Sequence, residues 1–102
     1  MDNLMELGRV IASRSFESER GSIELLIGLP RPYDDGTDYF CPFQLRGIGD
    51  EKVRSAGGVD ALQALILGID RAAMYLSGTP EVRDGRLTFL GNLGIGFGPP
   101  TP

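Results

Sequence analysis

The chain reads as an α+β fold, an antiparallel β-sheet in the order β-β-β-α-β with one main helix packed across one face. Three observations carry this. Residues 58–77 hold a long run with helical periodicity between a capping residue and glycine stops, two earlier stretches alternate at the period of a strand, and a short apolar run returns at residues 87–90.

Taken in chain order, residues 1–8 form an N-terminal arm, with Leu4, Met5 and Leu7 too few to sustain an isolated helix. Arg9 to Glu17 is β-like, with Val10, Ile11, Ala12 and Phe16 among small or charged residues, and Glu19 to Gly21 is the turn that follows. Ser22 to Leu29 alternates, with Ile23, Leu25, Ile27 and Leu29 on one side, so the first two strands are expected to pair as an antiparallel hairpin. The two prolines and the glycine of Pro30 to Asp38 predict a solvated loop without pairing. In the third strand, Tyr39 to Gly47, the residues Tyr39, Cys41, Phe43 and Leu45 share one face. Pro42 cannot donate to a ladder, so this strand is expected at an edge, beside a bulge, or with that position turned outward. Gly47 to Gly58 reads as a polar connection.

The helix opens at Asp60, which stands three residues before Gln63 as in a capping box, and it closes before Gly78 and Pro80. At 100° per residue, Leu62, Leu65, Ile66, Ile69, Ala73 and Leu76 fall on one side, the ridge expected to rest on the sheet. Burying its five large side chains is worth on the order of 10 kcal/mol before conformational entropy is subtracted. Leu67 and Met74 form a second apolar stripe, with Ala64, Arg71 and Tyr75 beside it. Such a stripe is covered either by the chain's own tail or by a second subunit, which makes Leu67, Arg71, Met74 and Tyr75 the candidate interaction surface. Beyond the helix come a turn at Arg83 to Arg86, the strand Leu87 to Leu90, and a glycine- and proline-rich segment, 91–102, in which Leu93, Ile95 and Phe97 alternate and are expected to lie over the core or over the second stripe.

Composition narrows the function. The 102 residues suit one domain with one modest core. A lone cysteine makes no internal disulfide, no run is long enough to span a membrane, and the acidic start lacks the basic region of a signal peptide, so a cytoplasmic location is expected. The net charge is −4, and the imbalance is confined to residues 1–51, which hold ten acids and five bases; this argues against nucleic acid as a partner. The absence of histidine removes the commonest general base and metal ligand.

Individual residues add no catalytic set. Cys41 has no histidine to activate it and reads as a core residue. Asp34, Asp35 and Asp38 lack the spacing of a calcium loop and read as a solvated acidic turn. Gly91, Gly94, Gly96 and Gly98 precede prolines rather than the helix that a phosphate-binding loop needs. At Gly57 and Gly58 the capping carboxylate of Asp60 occupies much of the position an anion would take. No cofactor and no metal site follow from these patterns.

Two blocks, Cys41-Pro42-Phe43-Gln44-Leu45-Arg46-Gly47 and Gly58-Val59-Asp60-Ala61-Leu62-Gln63-Ala64-Leu65, with the opening Val10-Ile11-Ala12-Ser13-Arg14, resemble a family of small bacterial single-domain proteins known only as a domain of unknown function. The resemblance spans roughly residues 9–90. It implies a compact bacterial cytosolic α+β domain and no catalytic residue, since its motifs are a strand, a glycine turn and a capped helix. The leading expectation is a non-enzymatic protein-interaction domain that forms a homo-oligomer or takes a protein partner; among small acidic bacterial domains, immunity proteins offer an analogy. A small-molecule binder, with its ligand between sheet and helix or beside Asp34 to Asp38, is the alternative, and an enzyme the third reading.

Overall fold

The computed structural model describes residues 6–97. Its sheet is built from β1 (Val10–Ser18), β2 (Gly21–Gly28), β3 (Arg31–Pro32), β4 (Tyr39–Arg46) and β5 (Arg54–Gly58), followed by α1 (Ala61–Ser77), the short α2 (Pro80–Arg83), and the two-residue strands β6 (Thr88–Phe89) and β7 (Asn92–Leu93). The expected α+β class holds, and every pairing is antiparallel. More strands contribute than the β-β-β-α-β order allowed for.

β1, β2, β4 and β5 follow one another across the sheet, each beside the last. β2 and β3 lie along one side of β4 as a broken strand: Ile27 stands opposite Phe43 and Arg31 opposite Phe40, so four residue steps on one side answer three on the other. That is a bulge, and Pro42 sits beside it. A proline in a strand paired on both sides is tolerated here because the ladder is interrupted where its missing N–H would be needed. Gly28 is part of the same device, since a Cβ there would lie 2.8 Å from Pro42 Cγ and against the Leu7 carbonyl.

Two stretches expected to be irregular therefore pair. Arg31 and Pro32 form β3 within the predicted loop, because a proline at the end of a strand keeps its carbonyl as an acceptor even without a donor. Residues 54–58 form β5 within the predicted polar connection, their Arg-Ser-Ala-Gly-Gly sequence carrying little strand propensity but lying beside the outer edge of β4.

The chain then crosses the sheet and returns to the far side. Thr88 of β6 pairs with Glu17 of β1, which places the last part of the chain beside the first strand. The β6–β7 turn is Leu90-Gly91, both with positive φ (52° and 84°), as a two-residue type I′ connection requires.

One face of the sheet carries Phe16, Ile23, Leu25, Ile27, Cys41, Phe43 and Leu45, all buried. The other face pairs Glu24 with Arg46 and Leu26 with Gln44. Over the first face, α1 covers β4 and β5, while the segment from Leu87 to Phe97 covers part of β1.

The helix starts as the sequence indicates, but it is rotated from the expected orientation. Asp60 Oδ1 accepts from the Gln63 backbone N–H at 2.8 Å; the Gln63 side chain reaches back to the Val59 N–H, one residue further than a capping box requires. The residues nearest the sheet are Ala64, Gly68, Ala72, Ala73 and Leu76, with Leu65, Ile69 and Tyr75 packed at the borders. Leu62 and Ile66, assigned to the buried ridge from their periodicity, are instead 65 % and 50 % exposed. The cause is distance. A Cβ on Gly68 would lie 2.7 Å from Cys41 Sγ, and one on Gly58 would lie 2.5 Å from the Ala64 nitrogen, so helix and sheet approach at a separation only small side chains permit.

Candidate functional site

Two features of α1 and its surroundings have the character of a site. The first is the helix face turned away from the sheet. Leu67 is 41 % exposed and Met74 69 % exposed, and Arg71 is exposed beside them. They fall together because seven residues are close to two helical turns and Arg71 is one turn beyond Leu67. Asp70 lies on the opposite flank of the Leu67–Met74 line, 100° from Arg71 around the helix axis.

Of the four residues singled out from the sequence, Leu67, Arg71 and Met74 thus share the outer face and Tyr75 does not. Tyr75 is half-buried at the border of the core. Its ring lies 4.1 Å from the Arg54 guanidinium carbon, a cation–π contact, and that guanidinium donates to both carboxylate oxygens of Asp50 at 2.9 and 3.0 Å. This bidentate bond, seconded by the Lys52 backbone N–H, holds the Asp50 carboxyl well below its ordinary pKa. The cluster fixes the turn between β4 and β5. Arg54 is consequently engaged with Asp50 and does not face the entry to α1, where Asp60 already accepts from the first turn.

The second feature is a groove of about 230 Å³ in the covered face of the sheet, where α1 and the C-terminal segment do not meet. Ala12, Ser13 and Arg14 of β1, Leu25 and Ile27 of β2, Ile69 of α1 and Phe97 line it. Among the described residues lining it, Arg14 supplies the only charge. Its guanidinium carbon stands 4.0 Å from the centre of the Phe89 ring and 5.6 Å from that of Phe97, and one of its nitrogens donates to the Ile95 carbonyl at 3.2 Å. Among the described residues, no carboxylate lies within ion-pair distance of it. The signal in the sequence was an arginine between Ala12 and Phe16 on one alternating side of β1, where an apolar residue would continue the pattern.

The remaining sequence candidates are structural. Cys41 is fully buried, directs its thiol to the Gly28 carbonyl at 3.6 Å, and is pushed by burial from 9.0 up to about 11, so it is a neutral thiol at physiological pH. Asp35 accepts from both the backbone N–H and the hydroxyl of Thr37, a local turn, and among the described residues no group of acids, cysteines or histidines is placed to hold a metal ion. Of the expected alternation near the end of the chain, Ile95 is buried and Phe97 half-buried, while Leu93 is exposed; neither Ile95 nor Phe97 is placed over the second stripe of α1. Residues 1–5 of the N-terminal arm and 98–102 of the C-terminal segment lie outside the described residues. No described helix is long and apolar enough to cross a membrane.

No match was found among curated proteins or among solved structures. A family model does match, over residues 12–100, and it takes in both blocks on which the resemblance was built, as well as the groove-lining strands and the whole of α1. The chain belongs to this family, DUF6968, a domain of unknown function.

Proposed function

We infer that this is a protein-interaction domain that self-associates through the outer face of α1. The observation that carries the reading is the exposure of Leu67 and Met74, two large apolar side chains in line on a helix whose other side is already seated on the sheet. A second copy suits this face by charge. Asp70 and Arg71 flank the Leu67–Met74 line on opposite sides, so two parallel helices related by a two-fold axis along their length set each Asp70 against the other copy's Arg71. Leu67 and Met74 then stack on their counterparts one turn below and one turn above. An antiparallel arrangement would set like charges together.

Light scattering over a range of protein concentrations tests the reading. The expected result is a mass rising from one chain toward two, with Met74→Glu holding the protein at one chain over the same range. A mass of one chain at all concentrations for the unaltered protein contradicts it.

A further inference from the structure

We propose that the groove between β1, α1 and Phe97 is a binding site for a small organic monocarboxylate, with Arg14 taking the carboxylate and the apolar walls taking the hydrocarbon body. Beside Arg14, the walls are apolar at Ala12, Leu25, Ile27, Ile69 and Phe97; Ser13 also borders the space, but it stands opposite Leu26 on the alternate side of β1, so its hydroxyl belongs to the other face of the sheet. An apolar recess with one placed charge is how small-ligand sites combine affinity with orientation. At about 230 Å³ the space lies just below the roughly 300–1,000 Å³ of sites for drug-sized molecules, which favours a short aliphatic or single-ring acid.

Arg14 is suited to that role by how it is held. Stacking on Phe89 and the bond to the Ile95 carbonyl fix its plane, while a guanidinium carries five N–H donors, more than that one acceptor uses. A carboxylate meets such a fork with two parallel hydrogen bonds. The half-buried position raises the value of the pairing, because fewer water molecules compete for the same donors. The site is separate from the outer face of α1, since Ile69 borders the sheet side of the helix.

The test is a titration of the isotope-labelled protein with benzoate and hexanoate, followed by amide chemical shifts, with benzamide and hexanamide as neutral counterparts. Saturating shifts are expected at Ala12, Arg14, Ile69 and Phe97, with each acid binding about tenfold or more tightly than its amide. Arg14→Gln should abolish that preference. Because Arg14 also clamps the C-terminal segment, Ala12→Leu serves as the second variant: it fills the groove from an exposed strand position and should weaken acid and amide alike, with the melting curve unchanged. Equal affinity for acid and amide, saturation only above about 10 mM, shifts centred on another surface, or binding that survives Ala12→Leu would each overturn the proposal.

Discussion

The two sides of α1 show that the bulk of a side chain does not decide which way a helix turns. The sheet-facing side centres on Ala64, Gly68 and Ala72, and the outward side keeps Ile66, Leu67 and Met74, while Leu62, in line with Ile69 and Ala73, is exposed in the first turn. By area alone the larger residues gain more from burial. What reverses the choice is β4, whose Cys41 presses into the space above Gly68 and rewards close approach of the two backbones over their total length. The Leu65, Ile69 and Leu76 side chains then fill the margins of that contact. The sheet-facing side is therefore set by shape, and the outward side is left with apolar surface that shape excluded from the core.

The largest expected effect comes from breaking the close contact. Gly68→Leu should abolish cooperative folding, and Gly68→Ala should cost about 1–3 kcal/mol in urea unfolding, the overpacking penalty outweighing the higher helix propensity of alanine. Next, the same truncation at a buried and at an exposed leucine of α1 should diverge: Leu76→Ala is expected to cost about 2–5 kcal/mol, and Leu62→Ala no more than about 0.5 kcal/mol. Equal losses at Leu62 and Leu76 would mean that the orientation of α1 has been misassigned. Asp60→Ala, which removes the acceptor of the Gln63 N–H from the end that both sides share, should cost about 1 kcal/mol.

The smallest effect is expected at Asp50, an exposed residue in the turn between β4 and β5. Its folded pKa is depressed, so its contribution is present above the ordinary carboxylate value of 3.8 and is lost as pH falls through the lower folded value. Asp50→Asn should accordingly lower stability slightly in the neutral region, leave it unchanged at pH values below the folded pKa, and so flatten the acid limb. A steeper acid limb in the variant would contradict that sign.

Much of the architecture was legible because it depends on local signals. The capped start at Asp60, the β1–β2 hairpin and the inward-facing run Tyr39, Cys41, Phe43 and Leu45 all follow from period, turn residues and capping chemistry. β5 was not legible, because Arg54-Ser55-Ala56-Gly57-Gly58 becomes a strand only through the free edge of β4. The rotation of α1 was hidden for a related reason: periodicity gives the angles between residues, whereas the zero of that angle is set by a Gly68–Cys41 contact between positions 27 residues apart. Spacing places Leu67, Arg71 and Met74 on one exposed face, the missing zero hides that Tyr75 lies at the border of the core, and Arg14 interrupts the apolar side of β1 in the sequence while the groove around it forms only when β1, α1 and Phe97 come together.

The most direct test of the account exchanges the two charges on the outward side of α1. Sedimentation equilibrium would compare the unaltered chain, Asp70→Arg, Arg71→Asp and the double variant carrying both changes. In a parallel two-fold pairing each single change sets like charges face to face and should weaken dimerisation about tenfold or more, and the double exchange should restore it toward the original value. Dimers indifferent to all three substitutions, or a double variant as weak as the singles, would contradict the assignment of this face as the meeting surface of two copies.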